Sequence, residues 1–382
     1  METPTFEEVF AQLRYQFKLL GVPLEHDKNI RLKFYVLVLS LILVLIEEIT
    51  FFVNKISSSN LLELTQLAPC IGIGTLSFLK VCSIAYKKNK IIKLAKYLDA
   101  LYSDILADTR NKEIVRNEML TLKLVTKYYF ILNVMLISVY NFSTLIFSIY
   151  HFIVYKHFNF NLPYSVIVPF STENWLNWSV VYIQLIIAGF TTVLFFTTVD
   201  ILYCVFSCHV CNNFRILSYE IKHLEIVNTK TLGEFVKKHQ HIIKLSEDLE
   251  DIFNTTNLFN VLVGSFEICA LGFSLTSGYW SQVPGCILFM SSVLLRILMM
   301  CFFGEKIEIE STEVSRSAYH SEWYHMESKH KKMLLIIMTR SHKPQKLTTY
   351  KFSVITYKTF TRIISTSWTY FTLLKTVYNP VE

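Results

Sequence analysis

The sequence predicts an all-α membrane protein of seven transmembrane helices, with a cytoplasmic N-terminus and helices that run on into a cytosolic anchor region. Three observations carry this. Of 382 residues, 52% are apolar, 15% aromatic and only 18% charged, with mean hydropathy +0.38, a balance unsuited to a water-soluble domain. Apolar blocks long enough to cross a bilayer recur along the chain. Basic residues collect between those blocks, on alternate connections. Thirty Phe and twenty-one Tyr against ten Gly and eight Pro exclude a linker-rich, collagenous or disordered chain. The formal charge of +7 is spread as membrane topology rather than gathered on a phosphate-binding face, so no nucleic-acid partner is expected.

Residues 1–31 read as a cytoplasmic amphipathic segment. Phe6, Val9, Phe10, Leu13, Phe17 and Leu20 line one helical face, Gly21 and Pro23 break it, and that face is expected to dip into the membrane interface from inside. Glu2, Glu7 and Glu8 stand where a cleavable signal would carry basic residues, so the first span is expected to act as the targeting signal. Apolar spans follow at 32–53, 61–86, 128–154, 178–210, 258–276 and 284–303, with a weaker one at 348–377 that Lys358 and Arg362 interrupt. Residues 32–303 thus hold six helices and an expected ligand-binding bundle, 304–347 a cytoplasmic helical anchor, 348–377 a pore-lining helix and 378–382 an extracellular tail.

Orientation follows from charge. The segments before 32 and at 87–127, 211–257 and 304–347 hold about 28 Lys and Arg, the alternate loops and the C-terminus about two. The basic connections are themselves periodic. Ile91, Leu94, Ala95, Leu98 and Leu101 recur at helical spacing, as do Leu232, Phe235, Val236, Ile242, Ile243 and Leu249, which predicts spanning helices that continue beyond the bilayer.

The chain carries no G-x-S-x-G elbow, P-loop, H-E-x-x-H or Gly-rich dinucleotide turn, so no enzymatic activity or cofactor is expected. Its eight cysteines lie in or beside apolar segments and read as reduced packing residues. Cys204, Cys208, His209 and Cys211 end a span and are expected to pack or accept lipid rather than bind metal. Glu267 and Arg296 are costly within apolar spans and sit at depths that differ by only roughly 3 Å at 1.5 Å per residue. They are expected to pair, with a snorkelling Arg296 and a wet Glu267 as the open alternative.

The last span is amphipathic in a different way. Ser365, Thr366, Ser367, Thr369, Thr372 and Thr376 alternate with Ile364, Phe371, Leu373 and Val377. A helix of this kind suits a pore wall, with Thr369, Thr372 and Thr376 wettable and Leu373 and Val377, four apart, forming a constriction that closes by dewetting. The alternative is that the hydroxyls bond back within the helix and Leu373 and Val377 simply pack.

The C-terminal third resembles the insect odorant receptor family. The resemblance rests on Ala318-Tyr319, Ser321, Trp323-Tyr324, Arg340-Ser341-His342-Lys343-Pro344 with Leu347-Thr348, and the run from Ser365 through Trp368-Thr369-Tyr370-Phe371 to Lys375. Phe303-Gly304-Glu305 is similar to the end of that family's sixth helix, although Lys306 and Glu308 depart from it. The resemblance implies an odorant-gated, non-selective cation channel in which a tuning subunit joins a co-receptor in a heterotetramer at the plasma membrane, in dendrites of olfactory neurons. It carries the gate onto Leu373 and Val377. Thr376 stands where the co-receptor has Gln, which implies a tuning subunit. Related gustatory receptors end their Thr-Tyr motif with Gln-Phe, where this chain has Thr376-Val377. A gustatory-type channel, a metabotropic receptor and a transporter are the alternatives. The site is implied among the second to sixth helices in the outer half. Depth there nominates Leu67, Ile71, Ser138, Phe142, Leu145, Tyr182, Ile186, Phe190 and Phe273 as the lining for a small hydrophobic volatile ligand.

The orientation is testable through two glycosylation sequons, Asn177-Trp178-Ser179 and Asn254-Thr255-Thr256. The second falls in a cytoplasmic connection and is expected to stay unmodified, and a glycan on Asn254, detected by endoglycosidase shift, would reverse the topology.

Overall fold

Spanning helices satisfy their backbone groups internally, the one solution open to a chain in hydrocarbon apart from a closed barrel. The structure, a computed structural model, describes residues 6–22, 28–56, 61–156, 158–224, 229–276 and 283–378. Among these it contains α1 (Phe6–Leu19), α2 (Lys28–Ile56), α3 (Leu61–Ala107), α4 (Thr109–Tyr155), α5 (Trp175–Lys222), α6 (Thr229–Thr276), α7 (Val283–Tyr319), a short 3-10 turn (Trp323–His325), α8 (Ser328–Ser341) and α9 (Tyr357–Tyr378). Six of them, α2 to α7, are long and apolar enough to cross a membrane. The expected tail after Tyr378 lies outside the described residues.

α3 and α4 have 47 residues each, α5 and α6 have 48, so each is about 70 Å long against a hydrocarbon layer of roughly 30 Å. The excess forms a second packed region. There Leu94, Leu98 and Tyr102 of α3, Val115 and Met119 of α4, Phe214 and Leu217 of α5, and Ile307 and Val314 of α7 join one core. It is laced by charge: Arg215 bonds Glu118 at 2.7 Å and Glu310 at 3.0 Å, and Lys306 also pairs with Glu118. Burial opposes ionisation of Glu118, but the bonds from Lys306 and Arg215 outweigh it and hold its carboxyl below the usual range.

α5 is the axis. Every residue of 195–214 is buried, and α5 packs against α1, α2, α3, α4, α6 and α7. Even its polar side chains, among them Thr197, Asp200, His209 and Asn213, are buried. The N-terminal segment differs from expectation. Phe10, Leu13, Phe17 and Leu20 are buried against the bundle, with Phe10 stacked on Phe206 of α5 at 6.5 Å, so the described part of this apolar face is covered by protein rather than by the membrane interface.

The last helix also starts later than the apolar pattern suggests, at Tyr357 rather than 348. Before it, Thr348 and Val354 form an isolated antiparallel bridge around a tight turn through Tyr350 and Lys351, both at positive φ. The turn is tied to α6, whose Glu250 carboxylate accepts from the Thr348 amide at 2.8 Å and from its hydroxyl. Ile355 then passes hard against Gly304 of α7, where a Cβ would collide with the Ile355 carbonyl oxygen. The next residue, Glu305, accepts from the Tyr357 amide at 3.1 Å and so caps the start of α9. Lys358 and Arg362 accordingly lie in the exposed first turns of α9, and Arg362 donates to Ser353 Oγ at 2.6 Å.

Gly304→Ala is expected to push this connector off α7 and cost about 1–3 kcal/mol. The change should appear as a lower melting temperature of the detergent-solubilised protein, and an unchanged melting curve would contradict the close approach.

Candidate functional site

In the outer half the helices leave two adjoining cavities of about 60 and about 330 Å³. The inner one is walled by Leu41, Val44, Leu45 and Glu48 of α2, Cys70, Ile73 and Gly74 of α3, Leu136, Ile137 and Tyr140 of α4, Ala188, Gly189, Thr192 and Val193 of α5, and Phe289 of α7. The outer one adds Leu67 and Pro69 of α3, Leu271 and Ser274 of α6, and Cys286 of α7. Cys70, Tyr140, Tyr164 and Phe289 line both. Pro69 has no amide proton, which frees the carbonyl of Thr65 one turn earlier, and the Ser274 hydroxyl sits 3.5 Å from that oxygen.

The connection between α4 and α5 roofs the site. Leu162, Tyr164, Val166 and Val168 point inward at alternate positions and pack on Val44, Val181, Leu185 and Ala188, the period of an extended chain over an apolar surface. Tyr164 reaches deepest. Its hydroxyl donates to Asn141 Oδ1 at 3.0 Å, and Gly189 makes room for it, since a Cβ there would lie 2.9 Å from the Tyr164 oxygen. Phe158, Phe160, Trp175 and Trp178 hold the base of the roof in edge contacts, with Phe158 rings 4.8 and 5.1 Å from the two tryptophans. The alternation of 162–168 is the sequence signal for this roof.

Among the nine residues nominated by depth, Leu67 lines the outer cavity and the other eight line neither. Tyr182 is buried beside Trp178 at 4.8 Å and donates to the Asn141 carbonyl. Ser138 bonds back to Val134 O at 2.7 Å. Ile71, Leu145 and Ile186 are half-buried, Phe190 packs on the main core, and Phe142 is 39% exposed. Phe273 packs with Cys269 against Phe371 of α9. Depth fixes the level of a side chain but not its rotation about the helix, and rotation decides what it faces.

On α9, Ile363, Ser367 and Phe371 turn toward the bundle, and the Ser367 hydroxyl donates to Ser265 O of α6 at 3.0 Å. Thr369, Thr372 and Thr376 lie on the exposed side, and Leu373 is 59% exposed. The three Thr hydroxyls bond back within the helix, at 3.0 Å to Ser365 O, 2.8 Å to Thr369 O and 2.8 Å to Leu373 O, which leaves their methyl groups and oxygen lone pairs facing outward. The side chain of Val377 lies outside the described residues.

About two to three turns inward from the cavities the bundle is polar. Asp200 of α5 accepts from Lys80 of α3 at 2.6 Å, Tyr129 of α4 at 2.9 Å and Asn260 of α6 at 3.5 Å. Arg296 and Glu267, expected from depth to pair, form a buried salt bridge between α7 and α6. Ser292 donates to Asn133 at 2.5 Å. Lys80 and Asp200 sit inside apolar runs where hydropathy averages conceal them.

A family model described as 7tm Odorant receptor matches residues 60–368. Odorant receptor 85b of Drosophila melanogaster is 27% identical, over 93% of this chain and 94% of that protein, and odorant receptor 67c of the same species is 24% identical over 88% and 86%. Among solved structures, the insect olfactory receptor OR5 from Machilis hrabei in complex with eugenol has the same fold, with TM-score 0.83, 15% identity and coverage of 97% of this chain and 99% of that one.

The Asp200 cluster yields a double-mutant test. Lys80→Met strands a buried carboxylate and is expected to cost about 3–5 kcal/mol, much of it regained when Asp200→Asn is added. Thermal unfolding in detergent reads the coupling, and simple additivity of the two changes would deny it.

Proposed function

The chain belongs to the 7tm odorant receptor family, and on that premise we propose that it is a tuning subunit of an odorant-gated, non-selective cation channel. Membership of a receptor family and six helices long and apolar enough to cross a membrane, with α9 beside them, favour a multi-pass membrane receptor over an enzyme. In this reading the two roofed cavities take a small, mainly apolar molecule, of the size of the eugenol held by the Machilis hrabei receptor, through shape and dispersion. The N-terminus is cytoplasmic, as the basic connections favour. The protein acts at the plasma membrane, in the dendrite of an olfactory neuron, with a co-receptor in a heterotetramer.

One observation carries the link from ligand to pore. A single stretch of α6 faces both sites: Leu271 and Ser274 line the outer cavity, while Cys269 and Phe273 grip Phe371 of α9. A ligand that shifts this stretch shifts α9 with it, because packed side chains move as discrete units. The exposed side of α9 then faces the central axis. Thr369, Thr372 and Thr376 line the pore, and Leu373 with Val377 closes it by dewetting.

Patch recording in cells without G-protein signalling, with and without the co-receptor, tests the channel reading: odorant-evoked current is expected only with both chains. Leu373→Ser or Val377→Ser is expected to raise basal current while leaving the rank order of odorants unchanged. Wild-type gating in both, together with cysteines at 373 and 377 that stay inaccessible in open channels, would remove the gate from these positions.

A further inference from the structure

Glu48 stands apart from every other acid buried in the bundle. It is 5% exposed and forms part of the inner cavity wall, and among the described residues no donor reaches its carboxyl. The neighbouring charge that acts on it, Glu47, has the same sign and is itself bonded to Gln184 at 3.1 Å. The buried cations Lys80 and Arg296 are committed, Lys80 to Asp200 and Arg296 to Glu267. Of the hydroxyls in the cavity wall, Thr192 donates to Ala188 O at 2.8 Å and Tyr164 to Asn141, and the Tyr140 hydroxyl makes no bond to the Glu48 carboxyl. An unpaired carboxyl in an apolar enclosure is costly and calls for a partner. Beside it stand the rings of Tyr140, Tyr164 and Phe289, whose faces attract a cation.

We infer that the cavity recognises a small amine, with the ligand nitrogen bonded to the Glu48 carboxylate and its apolar body against these three rings. The inference rests on the reading of the cavity as the odorant site. A ligand cation supplies the charge that the bundle lacks at this point, and a charge-assisted hydrogen bond is roughly twice as strong as a neutral one. Glu48 thereby sets the chemical class of ligand, and the surrounding rings set its shape.

The test pairs each amine with the alcohol of the same skeleton: butylamine with butanol, cyclohexylamine with cyclohexanol, phenethylamine with phenethyl alcohol. The full chain is expressed with the co-receptor and currents are recorded. Amines are expected to act at lower concentrations than their alcohols. Glu48→Gln is expected to raise the half-maximal amine concentration by about tenfold or more with the alcohols unmoved, and Glu48→Asp, which keeps the charge, should preserve the amine preference. Equal shifts for amines and alcohols in Glu48→Gln would overturn the inference. If Glu48→Gln fails to reach the surface by biotin labelling, the wild-type amine preference and the Glu48→Asp response decide. Current from neutral odorants but from none of the amines also overturns it and leaves the channel reading standing, whereas no current from any odorant removes both.

Discussion

Asp200 is the point on which the bundle is registered. Hydrocarbon offers no water to a stray charge, so a carboxylate in the middle of α5 must be satisfied by its neighbours. Lys80, Tyr129 and Asn260 do so from α3, α4 and α6, and these bonds fix the rotation and height of three helices about the fourth. The Glu267–Arg296 bridge then fixes α7 against α6. The cavities lie about two to three turns outward on the same helices, at Gly74 on α3, Tyr140 on α4 and Thr192 on α5. Their shape is therefore set by a polar cluster that does not touch them. An apolar interface between lipid-embedded helices has little hydrophobic driving force of its own, and the charged cluster supplies the specificity that packing alone lacks.

α6 is the second organising element. Its outer turns separate the cavity from α9, and its inner turns hold the connector through Glu250 and Thr348. α9 is thus tied to α6 at both ends of its run, at Phe371 and, through the connector, at Thr348. Between those ties only one stripe of α9 is covered, and the remaining circumference is exposed. The capping of α9 by Glu305, next to a glycine that admits the Ile355 carbonyl, places the start of this helix on α7 as well.

Much of this was legible in the sequence because hydropathy and charge act at the scale of whole helices. The spans, their extensions and the Glu267–Arg296 pairing depend on length and depth, which counting residues gives. What escaped is what depends on rotation or on long-range contact. The run from 195 to 214 is buried on all sides, and its polar residues are scattered around the helix, so periodicity there has no phase to read. Phe142 has the right depth but faces outward, and Phe273 faces α9. Lys80, Asp200 and Glu48 lie singly within strongly apolar windows whose averages absorb them. The roof depended on an alternating pattern of four residues, Leu162, Tyr164, Val166 and Val168, short enough to pass for an ordinary loop. The late start of α9 follows from a turn held by Glu250, about a hundred positions away in sequence, and no local signal encodes that contact.

The extension of α3 to α7 far past the bilayer has a consequence for how such a protein can diversify. Burial of apolar surface is strongly favourable where the alternative is water, at about 25 cal/mol per Å², and gains little where the alternative is a lipid tail. The core formed by Leu98, Tyr102, Met119, Phe214 and Val314 is of the first kind, and the cavity walls are of the second. If the cavities are the ligand site proposed above, cohesion and recognition are thereby placed in different solvents. Substitutions that reshape the outer walls cost the molecule little of what holds it together, so a lineage can trade one ligand for another while its water-side half keeps the chain folded.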